Sequence, residues 1–264
     1  MNTIKFLGTA GARFVVMKQL RASGGLWLTL DETQIMIDPG PGALVRCLSS
    51  RPKLDPAKLD AIILTHRHLD HANDVNIMTE AMTNGGFKKK GVVLAPADAL
   101  GKDPVVFKYI QKQVQRIETL KEKGKYQVGN ISIETPVRLK HGVETYGLNI
   151  KGKHHSISLI TDTDYFPSLA SYFPGKILII NVVLLEEKSA IEHLCLNEAE
   201  QIIAKNKPRL TLLTHFGMGM VKAKPWEIAE QLTRKYGRPI IAARDGMEVN
   251  LDLYKKKVNN RRGE

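Results

Sequence analysis

Cysteine is nearly absent from this chain of 264 residues: Cys47 and Cys195 are the only two. They are far apart and form no Cys-x-x-Cys pair, which excludes a disulfide framework and a sulfur-rich zinc site and leaves two buried reduced thiols as the expectation. Long apolar runs are missing as well. The longest candidates, residues 177–185 and 61–64, fall far short of the roughly 18 to 20 residues a membrane span needs. The opening alternation of residues 1–7 has no charged n-region, long apolar stretch or small-residue cleavage site, so the chain is expected in the cytoplasm and away from membranes. No repeat of 20 to 50 residues and no low-complexity linker interrupts it. Residues 1–254 therefore read as one domain, and residues 255–264, with three lysines and two arginines, as a basic polar tail. Acidic residues are also in short supply: 27 Asp and Glu stand against 39 Lys and Arg, a formal charge of +12. Such an excess draws a protein toward nucleic acid, phosphate esters and other anions, although a lysine-rich solvated surface has the same composition.

What is present is ordinary globular material, 43% hydrophobic and 25% charged. Short apolar segments at residues 4–7, 26–30, 34–37, 61–65, 91–95, 131–139, 146–150, 156–161, 177–185, 210–214 and 240–242 read as strands. Helical periodicity marks 71–83, 104–123, 197–205 and 225–236; in 104–123 the stripe is Val106, Ile110, Val114, Ile117 and Leu120. An α/β chain of this order packs naturally as sheets with helices outside them.

The chemistry concentrates at the end of the segment 61–65. There the chain runs Thr65-His66-Arg67-His68-Leu69-Asp70-His71, three imidazoles and a carboxylate within six residues. In extended chain His66 and His68 project to one side, and a helix opening at Asp70 can turn Asp70 and His71 toward the same point. Imidazole and carboxylate are the ligands of zinc when cysteine is absent. Six residues cannot fill two metal shells, and three further strand ends offer His141, Asp162 and His215.

The run His66-Arg-His68-Leu-Asp70-His71 resembles the HxHxDH signature of the metallo-β-lactamase superfamily, with Asp38, His141, Asp162 and His215 in the order of that superfamily's other motifs. The resemblance implies a four-layer αββα sandwich. It implies one metal ion held by His66, His68 and His141, a second by Asp70, His71 and His215, and Asp162 bridging both. Zinc is the expected metal, with manganese or iron as alternatives. Asp38 would accept a hydrogen bond from a ligand histidine and fix its orientation. Within the superfamily the chain is most similar to the phosphodiesterase branch of ribonuclease Z and the cyclic phosphodiesterase of phosphonate breakdown. That likeness is carried by Phe6-Leu-Gly-Thr-Ala10, His141-Gly-Val-Glu-Thr-Tyr-Gly147, His193-Leu-Cys-Leu-Asn-Glu-Ala199, Leu213-Thr-His215 and Asp245-Gly-Met247. It implies hydrolysis, with Asp70 orienting the attacking water and His193 donating a proton to the leaving group. Two departures stand out: only 21 positions separate His141 from Asp162, too few for a tRNA-binding arm, and Asn181-Val-Val replaces an expected glutamate. Relatives often pair, so a homodimer is a further expectation.

Two carboxylates do not neutralise two divalent cations, so the centre favours an anionic substrate: phosphodiester bonds of a nucleotide, RNA or DNA come first. A lactone, thioester or similar ester is the alternative, and a nucleic-acid-binding protein with structural metal is a third reading. Arg13, Lys18 and Arg21 in the loop 8–25, and Lys222 and Lys224 in the loop 217–224, are the candidate substrate contacts. The basic segment 102–125 is a candidate cationic helix face for nucleic acid, and His154 and His155 read as surface residues.

Overall fold

The computed structural model describes residues 1–188 and 190–255; the basic tail beyond Lys255 lies outside them. The strands are β1 (Thr3–Phe6), β2 (Leu26–Leu30), β3 (Thr33–Ile37), β4 (Ala61–Ile63), β5 (Val92–Pro96), β6 (Arg116–Leu120), β7 (Gly124–Val128), β8 (Ile131–Thr135), β9 (Leu148–Lys151), β10 (Ser156–Ile160), β11 (Ile177–Asn181), β12 (Leu210–Thr214), β13 (Ile240–Ala242) and β14 (Glu248–Asn250). They form two seven-stranded sheets, in the orders β14-β1-β2-β3-β4-β5-β6 and β13-β12-β11-β10-β9-β8-β7. Each is half antiparallel and half parallel: β3 to β6 run parallel in the first, β10 to β13 in the second.

Strand alternation makes the layers. In β2, Leu26, Leu28 and Leu30 point to the core between the sheets, while Trp27 points outward beneath helices. In and just after β4, Ala61 and Ile63 face inward and Ile62 and Leu64 outward. Strands buried on both faces read as continuous apolar runs, and this is why they were visible in the sequence. The helices are α1 (Ala12–Met17), α2 (Ala43–Ser49), α3 (Leu69–Ala72), α4 (Val75–Met82), α5 (Ala97–Leu100), α6 (Lys108–Gln111), α7 (Leu169–Tyr172), α8 (Leu196–Asn206), α9 (Met218–Lys222) and α10 (Pro225–Tyr236). The outer core of the first sheet takes in residues of α2, α4, α5 and α6, and that of the second takes in residues of α7, α8 and α10. The result is the four-layer αββα sandwich.

Four expectations are corrected. Residues 104–123 are not one helix. Val106, Ile110 and Val114 are buried around the short α6, but Arg116–Leu120 is the strand β6, paired parallel with β5. The parallel edge of β5 needs a hydrogen-bonding partner, and that long-range pairing overrides a helical stripe that ends in the strand-like alternation Arg-Ile-Glu-Thr-Leu. The cationic helix face therefore does not exist: Arg116 pairs with Glu118, and Lys125 sits on the edge strand β7 opposite Glu134. The expected helix 71–83 is split into α3 and α4, where the Asp74 amide donates to the Pro39 carbonyl and its side chain accepts from the Leu44 amide. His155 is buried rather than superficial, its Nε2 3.1 Å from Asp252 Oδ1.

Candidate metal centre

Every parallel strand near the middle of the sandwich ends at the same edge, and the chemistry-bearing residues follow those ends. Asp38 follows β3, Thr65 and His66 follow β4, and Asp70 and His71 ride on α3. From the second sheet come Asp162 after β10, Asn181 closing β11 and His215 after β12; His141 lies between β8 and β9, and His193 just before α8. The backbone is shaped for this convergence. Asp38 and His215 both adopt left-handed conformations, at φ 52° and 59°, which cost a non-glycine residue about 1–3 kcal/mol each and are tolerated where surrounding structure imposes them. Gly40 packs so tightly on the Asp70 carbonyl, and Gly11 on that of His215, that a Cβ at either position would overlap it.

Two principal ligand groups result, overlapped by two smaller ones, Asp38 with His66 and His71, and His193 with His141 and Asp162. His66, His68 and His141 form one principal group, with His141 Nε2 3.1 Å from His68 Nδ1; Asp70, His71, Asp162 and His215 form the other, with the His71 and His215 Nε2 atoms 3.2 Å apart. Asp162 Oδ2 stands between them, 3.3 Å from His71 Nε2 and His215 Nε2 and 3.9 Å from His66 Nε2. Its other oxygen accepts from Asn181 Nδ2 at 2.8 Å. Asp70 Oδ2 lies 3.5 Å from His215 Nε2 and 3.7 Å from His71 Nε2. Outer partners orient the rings: His71 Nδ1 donates to Asp38 Oδ2 at 2.9 Å, and His141 Nδ1 donates to the Glu192 carbonyl at 3.1 Å. Such partners leave the opposite nitrogen of each ring for a metal ion.

The residues fit divalent cations. His66 Nε2 is wholly buried with no hydrogen-bond partner, and so is His193 Nδ1, a costly arrangement without a cation to receive the lone pairs. Electrostatics agree. Burial, reinforced by neighbouring imidazoles, holds His66 well below the usual imidazole range, and burial lowers His68 and His193 too. Burial works against a charged His71 as well, but Asp70, Asp162 and Asp38 overcome it and raise this imidazole well above its usual range. Burial would keep Asp162 neutral, yet His215, His71 and His193 hold it well below the carboxylate range. The raised value favours a proton on His71 Nε2 in the metal-free chain, where an ion would have to compete with it. Loading with zinc is expected to release protons and to tighten as pH rises toward the raised value of His71. Calorimetry in two buffers of different ionisation heat measures that release; proton-neutral, pH-independent binding is the contrary result.

The remaining sequence candidates are placed less centrally. Arg13 and Lys222 are exposed on α1 and α9, and α1 packs against both α3 and α9, at the border of the centre. Lys18, next after α1, is exposed, and Lys224 pairs with Glu227 at 2.9 Å. Arg21 is not brought to the ligands: its guanidinium donates to Thr9 Oγ1 and the Ala243 carbonyl and lies over the Phe216 ring. The sequence offers no role for Thr65 or Thr161, and Asn181 enters there only as a departure from an expected glutamate; their one signal is a polar residue closing an apolar run.

Residues 33–216 match the beta-lactamase superfamily domain. The chain belongs to the metallo-β-lactamase superfamily. Among its relatives is the uncharacterised protein MJ1374 of Methanocaldococcus jannaschii, 32% identical over 257 residues that cover 94% of each chain. The fold is shared with a diphosphatase of the PhnP family (TM-score 0.68, 20% identity, covering 94% of this chain and 96% of that one) and with the short form of human tRNase Z (TM-score 0.65, 17% identity, covering 94% and 98%). As a member of this superfamily the chain is a metal-dependent hydrolase, with the His/Asp cluster as its site for divalent ions. No helix among the described residues is long and apolar enough to cross a membrane.

Proposed function

We propose that this superfamily member is a dinuclear, zinc-dependent phosphodiesterase acting on a nucleotide or nucleic-acid substrate. The observation that carries the reading is the position of Asp162 Oδ2 between two groups of histidines, with Asp70 as the only other carboxylate in the two groups. Two carboxylates leave two divalent ions under-neutralised, so an anionic group is drawn in. The +12 charge of the chain acts in the same direction over longer range. The phosphate chemistry named for the PhnP-family diphosphatase and the RNA substrate named for tRNase Z support it by likeness of fold.

Bound divalent ions would lower the pKa of a coordinated water and offset negative charge on phosphorus and on the leaving oxygen. The protein's own groups do the rest. Asp70, half-buried beside His71 and His215, orients the attacking water. His193, whose Nδ1 is 3.7 Å from Asp162 Oδ2, delivers a proton to the leaving oxygen. Arg13 and Lys222, on helices packed at the border of the centre, hold the anionic substrate, with the exposed Lys18 beyond the end of α1 assisting. The cytoplasm suits the two buried free thiols.

The test is hydrolysis of bis-p-nitrophenyl phosphate by protein of assayed metal content, beside a lactone and a thioester. Turnover of the diester with about two ions per chain, lost on chelation, is the expected result. Turnover confined to the lactone or thioester would move the protein to ester chemistry.

A further inference from the structure

His66 differs from the other oriented ligands in what holds it. The Glu192 carbonyl can only accept, so His141 Nδ1 must carry the proton; the Asp38 carboxylate likewise requires one on His71 Nδ1. His66 Nδ1 faces the Thr65 hydroxyl at 3.1 Å, and a hydroxyl can donate or accept. Its direction is set from elsewhere. Thr65 Oγ1 is 2.7 Å from Asp38 Oδ2, whose partner oxygen accepts from the Thr65 amide, also at 2.7 Å. The single hydroxyl proton of Thr65 is therefore committed to Asp38. Thr65 Oγ1 is left with two lone pairs, for His66 Nδ1–H and for the Thr161 hydroxyl at 3.1 Å. Asp38, Thr65, His66, His71 and Thr161 are all buried.

We propose that Thr65 is a positioning residue: it passes the polarity of Asp38 to His66 and holds that imidazole with its proton on Nδ1 and its lone pair on Nε2. One carboxylate thereby orients a ligand in each group, His71 directly and His66 through Thr65. The Thr65–Thr161 bond also joins the strand ends of the two sheets beneath the centre, since Thr65 follows β4 and Thr161 follows β10. Without the hydroxyl, Nδ1 has no acceptor, while the Asp162 carboxylate, 3.9 Å from Nε2 and short of hydrogen-bond contact, attracts a proton to that side of the ring. The proton then moves to Nε2, the atom a metal ion needs. The inference rests on the proposed metal centre only for its effect on affinity; the location of the proton is a property of the metal-free chain.

Nitrogen-15 NMR of histidine-labelled, metal-free protein tests it, read above the ordinary imidazole range, together with zinc affinity measured by competition against a chromogenic chelator. The wild-type His66 is expected to show a protonated Nδ1 and a bare Nε2. Thr65→Val is expected to shift the proton to Nε2 and to weaken zinc binding by about ten- to a hundredfold, and Thr65→Ser to restore both. A wild-type His66 protonated at Nε2 overturns the proposal without any variant. So does a Thr65→Val chain with the wild-type spectrum and affinity. Wild-type protein that shows the Nδ1 proton but binds no zinc supports the role of Thr65 and refutes the metal-centre reading instead.

Discussion

Replacing Asp162 with alanine is expected to strip the chain of its metal and to cut turnover on the order of a thousandfold or more. Asp162 Oδ2 lies within 3.9 Å of nitrogens on His66, His71, His193 and His215, which belong to both sides of the centre, so one substitution would remove a ligand available to either ion together with half of the carboxylate charge. The loss is not a packing defect in disguise. Asp162→Asn keeps the volume and the hydrogen-bonding reach toward Asn181 but not the charge, and it is expected to behave like alanine in metal content while folding as the parent does. Metal analysis, circular dichroism and turnover of the diester measure the three quantities. Two ions retained by folded Asp162→Ala would mean that Asp162 is not the shared ligand.

His193→Ala is the second large effect, and its signature differs. The side chain is mostly buried, its Nδ1 has no hydrogen-bond partner, and its ring sits 5.1 Å from that of His141, yet it belongs to neither of the two principal ligand groups. A residue that hands a proton to the leaving oxygen matters in proportion to how much the leaving group needs one. Turnover is expected to fall about a hundred- to ten-thousandfold for a diester with an alkoxide leaving group and much less for p-nitrophenolate, with metal content unchanged. The slope of log kcat against leaving-group pKa should steepen in the variant. Equal losses across the series, or loss of metal, would assign His193 to substrate positioning or to ligation.

How much of this was legible beforehand follows from the range of the interactions. The wholly buried β12, the nearly buried β2, the short apolar β13 and the amphipathic α10 lie where the apolar pattern places them, because burial on both faces or along one stripe writes itself into neighbouring residues. The strands β6, β7 and β14 were not visible. Only Leu120 of β6 is buried and only Val249 of β14, and what makes each of these a strand is a partner elsewhere in the chain; β7 alternates buried and exposed residues and is the first arm of a hairpin with β8. Five of the clustered residues crowd into the segment 66–71 and the strand end after β12, where chemistry is local. Asn181 closes an apolar run like any other turn residue, and nothing in its neighbours announces Asp162.

The sequence by itself determined the kind of chemistry. Side-chain identity and i, i+2 spacing are covalent facts, and three histidines with an aspartate at the end of a buried strand have few uses besides metal ligation. Tertiary structure alone decided how the ligands are held: which oxygen of Asp162 faces the centre, which nitrogen of His66 is bare, and that Arg21 is spent on Thr9, Ala243 and Phe216 rather than on a substrate. Those outcomes depend on hydrogen bonds such as Thr65 to Asp38, made between adjacent strands of one sheet, and Thr65 to Thr161 at 3.1 Å, which forms only when the two sheets close. A hydroxyl has no preferred direction until both of its neighbours are in place.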